Sequence, residues 1–312
     1  MYYPYLRARQ FELIALRELA NENATQGVIT PILEPVMDTQ NGLNLAHKIF
    51  VEKDQYAYLI INSNLGNLTG DATLFLDYIN GLEESKYKVA FHYRNNAKFI
   101  ENSIAEYGLT DCMLVCNKDL DSDDLAFQQL AENTAISTFT VEDPGRNRSL
   151  DKFIKRLEKK YVRLDDLFEK QDRNSEFLNI AEHRFSEEHL WFKDDKFSGF
   201  SDYTTLPSEF VEGGSTPRAV VIHWTYLNEK QEVWIKHFTS VTNDTVADVQ
   251  GKFGEAAQKA VAFINETNIS NSATEELKDY FSRGHYPGLG MVKKLSIKNH
   301  LLLISEYLKK TM

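Results

Sequence analysis

The stretch Val28 to Val36, VITPILEPV, decides the fold. It is an apolar run too short for a helix, opened by Gly27 and closed by a carboxylate, Glu34, set between Pro31 and Pro35. It reads as a buried strand that delivers Glu34 at its end. Outward from it, Ala57 to Ser63, Lys88 to His92, Cys112 to Asn117 and Ile136 to Glu142 repeat the same plan, a short apolar run ending in a polar residue. Repeated strands of this kind make a parallel barrel with its chemistry at one rim.

The segments between them have helical periodicity. Helices are expected over Phe11 to Ala20, Leu43 to Val51, Asp71 to Leu82, Asn96 to Tyr107, Asp121 to Glu132 and Ser149 to Lys160. With Tyr2 to Arg7 as the opening strand, strand starts recur every 24 to 30 residues or so, the size of one strand–helix unit. The expected fold is an α/β, TIM-barrel-like (β/α)8 domain over residues 1–312. An open doubly wound sheet is the structural alternative, because strand order cannot be read from one sequence.

Beyond Pro144-Gly145 the pattern loosens. Tyr161 to Phe168 reads as a short extended segment and Glu176 to Asp194 as one or two helices. Strands seven and eight are assigned to Gly199 to Thr205, GFSDYTT, and Ala219 to Tyr226, AVVIHWTY. A turn at Asn228 to Lys230 then makes Val233 to Ser240 an antiparallel partner, so 228–240 is a hairpin and 273–312 a helical extension packed on the barrel.

Hydrophobic residues make up 42% of the 312, ample for a large core. A net charge of −11 speaks against an extended phosphate-binding surface, leaving nucleic acid only a local groove. Cys112 and Cys116 are four apart, roughly 13 Å along a strand, too far for a disulfide. Reduced thiols fit a cytoplasmic protein. MYYPYLRARQFE is not expected to act as a signal peptide, and no apolar run is long enough to span a membrane.

The N-terminus combines Tyr5, Glu12, Ala15, Leu16 and Leu19 with Ile29, Pro31 and Glu34. It resembles the beta protein family of bacteriophages and bacteria, in particular a bacterial branch often encoded in mobile or defence-associated regions. GFSDY, IHWTY, KHFTS and the GHYPGLGMVK loop with His300 extend the resemblance over nearly the whole chain. It implies a barrel-like fold and a link to phage–host conflict and antiviral defence. The family supplies no catalytic residues to carry over.

The C-terminal strand ends of the expected barrel offer Arg7, Glu34, Asn62, His92, Arg94, Asn117, Glu142, Asp143, Asp202 and His223. The four carboxylates are oxygen ligands of the kind Mg²⁺ takes, and the two arginines suit a phosphate. His92 or His223 would be acid or base in a phosphodiester hydrolysis in which Glu34 and Glu142 also act. Plainer readings stand beside these: helix caps and turns for the carboxylates, a buried Arg7–Glu34 salt bridge, and hydrogen-bonded core histidines. A second cluster, His237, His285 and His300 with Lys236, Trp224 and Trp234, makes either a ligand pocket or a structural lock around RGHYPGLG.

No zinc-ligand spacing, phosphate loop or nucleophile elbow is present in the sequence. Two functions are therefore expected as alternatives. One is an interaction or sensor module that takes a protein partner, such as a defence effector, through exposed Trp234, Phe238 and Tyr286. The other is a metal-dependent hydrolase, which requires Glu34, Glu142, Asp202 and His223 to converge.

Overall fold

The computed structural model describes residues 1–213 and 216–311. The chain runs β1 (Tyr5–Leu6), α1 (Gln10–Asn21), β2 (Ile32–Leu33), α2 (Asn41–Glu52), β3 (Ala57–Ile60), α3 (Thr73–Asn80) and β4 (Tyr87–His92). It continues with α4 (Ala97–Tyr107), β5 (Cys112–Cys116), α5 (Leu125–Glu132), β6 (Ile136–Glu142), α6 (Arg148–Arg156) and β7 (Lys160–Asp165). A 3-10 turn at Asn174–Leu178, β8 (Glu182–Ser186) and α7 (Glu188–Trp191) precede β9 (Gly199–Asp202). Last come β10 (Val221–Leu227), β11 (Val233–Thr239), α8 (Val249–Thr267), α9 (Ser272–Ser282) and α10 (Leu289–Thr311).

Eight parallel strands pair in the order β1-β2-β3-β4-β5-β6-β7-β9 and alternate with helices, a TIM-barrel-like (β/α)8 arrangement. Tyr2 closes the ring by bridging Ile29 on one side and Phe200 on the other. Closure demands a residue without a side chain at Gly199, where a Cβ would lie 2.5 Å from the Met1 carbonyl and 2.6 Å from the Tyr3 ring. The two prolines of VITPILEPV do not break β2, because its N–H groups that face β1 come from Ile32 and Glu34, bonded to Pro4 O and Leu6 O at 2.9 and 2.8 Å. Pro31 and Pro35 occupy the alternate positions.

Strand seven departs from the sequence reading. Lys160–Asp165 is the seventh barrel strand, and GFSD, read as the seventh, is the eighth. The charges that hid it, Arg163 and Asp165, sit on one face and pair with each other at 2.6 Å, while Val162 and Leu164 face the lumen. AVVIHWTY is not a barrel strand. It pairs antiparallel with β11, as the hairpin reading expects, in a separate sheet of order β10-β11-β8. It looks like a barrel strand in sequence because Ile222 and Trp224 are buried against α8 to α10 while His223 is covered by Phe177. β8 was also hidden, in a stretch read as helical.

Three apolar regions hold the chain together. Tyr3, Tyr5, Tyr58, Met113 and Leu164 are among those that fill the lumen, and a larger core lies between barrel and helices. The third lies between the second sheet and α8 to α10. α10 joins the units, since Ile297, Leu301 and Ile304 enter the barrel core and Val292 and Leu295 the other. Lys294 and Lys298, nearly inaccessible, bind Glu18 and Glu22 at α1 and Glu276 on α9, tying both helices to α10. Cys112 and Cys116 are free buried thiols on β5. Among the described residues no helix is long and apolar enough to cross a membrane.

Candidate functional site at the barrel rim

Parallel pairing matches Tyr5 with Ile32, Ile32 with Tyr58, and Ile60 with Ala90. Side chains alternate across a strand, so the same inner face two residues further on carries Arg7, Glu34, Asn62 and His92. Four of the residues read from sequence therefore meet at the C-terminal rim.

Glu34 is the centre of this group and only 2% exposed. Arg7 donates Nη1 to Oε2, forming an ion pair, and Tyr5 donates its hydroxyl to the same oxygen at 2.7 Å. His92 Nε2 lies 2.9 Å from Oε1, which also accepts a longer bond from Ser63 Oγ at 3.3 Å. An ionised carboxylate only accepts, so His92 donates to it from Nε2. Asn62 clamps the backbone of His92 from both sides, Nδ2 to its carbonyl and Oδ1 from its N–H, each at 2.8 Å. Arg7 also donates to the Ser208 carbonyl and sits over the rings of Tyr5 and Tyr203.

Burial alone would raise the Glu34 carboxyl, but the bond and charge of His92, the Arg7 guanidinium and the Tyr5 hydroxyl outweigh it and hold the group at about 2, against an ordinary 4.5. The folded value lies below the unfolded one, so this stabilisation is complete above pH 4.5 or so and is lost as the pH falls toward 2. Over that window it amounts to about 3 kcal/mol. Denaturant unfolding at pH 5 and pH 2.5 is expected to show Glu34→Gln well below wild type at the higher pH, with most of that gap closed at the lower. A gap that stays constant with pH would mean that Glu34 is not held as a buried ion.

The remaining sequence candidates divide. Glu142 faces the lumen at the end of β6, partly exposed, and Arg94 is exposed with Nη1 on the Asn62 carbonyl at 3.2 Å. Asp143 is a turn former, with φ +43°, its N–H on Leu164 O and its carboxylate 3.9 Å from Arg146. Asp202 does not join the rim. Ser201 and Tyr203 take the inner face of β9, so Asp202 points outward, accepts from Tyr2 Oη at 2.6 Å and from Thr204 N at 2.8 Å, and lies 3.5 Å from His300. His223 is in the second sheet, its Nδ1 2.7 Å from His237 Nδ1, and burial holds it well below the usual imidazole range. His285 is exposed beside Tyr280.

The four residues expected to converge do not: Glu34 and Glu142 face the lumen, Asp202 the outside of the barrel, and His223 lies in the second sheet. Among the described residues no three His, Cys, Asp or Glu side chains come together as ion ligands. The second cluster also separates, because His237 pairs with His223 and His183 while His300 packs between Tyr2 and Thr225. Phe238, expected as an exposed contact, is 5% exposed, and Trp234 and Tyr286 are half-buried. Sequence reading missed Tyr5, Ser63 and Tyr203 as members of the rim. The signal for Tyr5 was its two-residue spacing from Arg7.

No family model and no curated protein matches the chain. Among solved structures, the spore cortex-lytic enzyme SleL of Bacillus megaterium is similar over 96% of this chain and 73% of its own, with 11% identity and a TM-score of 0.38. A likeness of that size carries no conclusion about chemistry.

Proposed function

We propose that this chain is a binding protein, an interaction or sensor module built on a barrel scaffold, and that its rim is a recognition platform instead of a hydrolytic centre. The observation that carries this reading is the closure of Glu34. Both carboxylate oxygens are occupied by Arg7, Tyr5, His92 and Ser63, and the group is held ionised, so it has neither a free lone pair for a cation nor a proton to give. A fully satisfied buried network of this kind fixes side-chain positions, as a preformed binding surface requires. The resemblance of the N-terminal pattern to the beta protein family supplies the setting we attach to this reading, a role in phage–host conflict with a protein partner.

A metal-dependent phosphodiesterase is the competing reading, with Glu142 and the Nδ1 of His92 as its remaining unbonded rim groups. The full chain incubated with bis(p-nitrophenyl) phosphate and Mg²⁺ or Mn²⁺ is expected to release no more nitrophenol than buffer containing the same ions. Cation-dependent release by the wild type, lost in Glu142→Gln with an unchanged circular dichroism spectrum, would overturn the binding-module reading.

A further inference from the structure

Just outside the rim, α1 and the segment that follows Glu34 enclose a cleft of about 420 Å³, within the size range of small-molecule sites. Its walls are mainly apolar, among them Ile14 from α1 and Val36, Met37 and Leu45 from the facing segment. Two cations interrupt that apolar surface, Arg9 at the start of α1 and Arg17 two turns on. Among the described residues neither forms a salt bridge, although the chain carries a net charge of −11. Arg17 Nε is inaccessible to water and has no hydrogen-bond partner. The carboxylates of α1 are engaged elsewhere: Glu12 accepts from the Arg9 N–H at 2.9 Å and Glu18 holds Lys294 and Lys298.

A guanidinium that no carboxylate answers is suited to an anion, which it takes in a two-pronged bond through its accessible edge. The N-terminal end of α1 adds a favourable field for negative charge at the same mouth. Met37 and Leu45 are 56% and 55% exposed at the lip, apolar surface left open to water beside the two arginines. We infer that this cleft binds a small organic anion, an apolar body carrying one carboxylate or equivalent head group, with the head on Arg17 and Arg9 and the body against Ile14, Met37 and Leu45. The inference rests on the binding-module reading and gives that module its ligand class.

The test uses two fluorophores of similar shape, anionic 1-anilinonaphthalene-8-sulfonate and neutral N-phenyl-1-naphthylamine, titrated into the full chain at low salt. Saturable binding of the anion is expected, with displacement by dodecanoate. Arg17→Gln should weaken the anion by about ten-fold or more, the scale of a charge-assisted bond, and leave the neutral probe unchanged. Leu45→Glu, at an exposed position whose substitution does not disturb the core, should weaken the anion to a similar extent and so decides the matter if Arg17→Gln fails to fold. No saturable anion binding up to about 1 mM, a threshold of weak affinity, or equal affinity in wild type and Leu45→Glu would overturn the proposal. Either result in a chain without cation-dependent hydrolysis rejects this cleft alone, whereas hydrolysis lost in Glu142→Gln rejects the binding-module reading itself.

Discussion

Arg7→Ala is expected to lower the free energy of unfolding at pH 7 by roughly 3–5 kcal/mol, the cost of removing one partner from a buried ion pair. The size follows from what remains. Glu34 stays 2% exposed and ionised, with Tyr5 and His92 supplying hydrogen bonds that do not replace the guanidinium. The Ser208 carbonyl and the faces of Tyr5 and Tyr203 also lose their cation. Chemical denaturation of Arg7→Ala, Glu34→Gln and the double variant gives the coupling directly. The double variant should be more stable than Arg7→Ala, since it no longer buries an unmatched charge. A loss below about 1 kcal/mol in Arg7→Ala, the value of an exposed pair, would show that water reaches Glu34 and that the rim is not a closed network.

Asp202→Ala is the second large loss, expected at about 3–5 kcal/mol as for other broken buried charge networks. Burial would raise this carboxyl, but the neighbouring His300, the Tyr2 hydroxyl and the Thr204 N–H hold it low. Its removal leaves Thr204 N without its acceptor, takes away one of the two partners of Tyr2 Oη, the other being His300 Nε2 at 3.1 Å, and frees His300 from its acidic neighbour. The consequence is not local. Tyr2 is the residue that closes the barrel, and His300 belongs to the helix that joins barrel and second sheet. Asp202→Asn keeps an acceptor oxygen and should recover part of the loss. Unfolding midpoints within about 1 kcal/mol of wild type for Asp202→Ala, the level of an ordinary surface change, would mean that barrel closure does not depend on this network.

Both predictions concern residues that the sequence placed in one group and the structure separated. Glu34 and Asp202 each end an apolar strand, so each reads as a rim carboxylate. What distinguishes them is parity. Glu34 is two residues from the lumen-facing Ile32, whereas Asp202 is one residue from the lumen-facing Ser201. A shift of one position turns a side chain to the opposite face of a strand. That parity was not legible for the eighth strand, because its neighbour had not been identified. The seventh strand, Lys160–Asp165, was disguised by Arg163 and Asp165, which neutralise each other on the outer face.

Local sequence determined the element alternation, the first six strands, the hairpin at Asn228 and the long terminal helix, because each depends on periodicity and turn chemistry that nearby residues supply. It also put Arg7, Glu34, Asn62 and His92 at strand ends, and a barrel must gather those ends on one face. Only the tertiary structure decided that Glu34 is enclosed by Arg7, Tyr5, His92 and Ser63, that His223 belongs to another sheet, and that Arg17 is left without an acceptor in an apolar cleft. Those facts depend on strand register and on contacts between residues 27 to 298 positions apart, such as Arg7 with Glu34 and Tyr2 with His300. A pattern of single positions does not encode which distant group satisfies a buried charge; packing does.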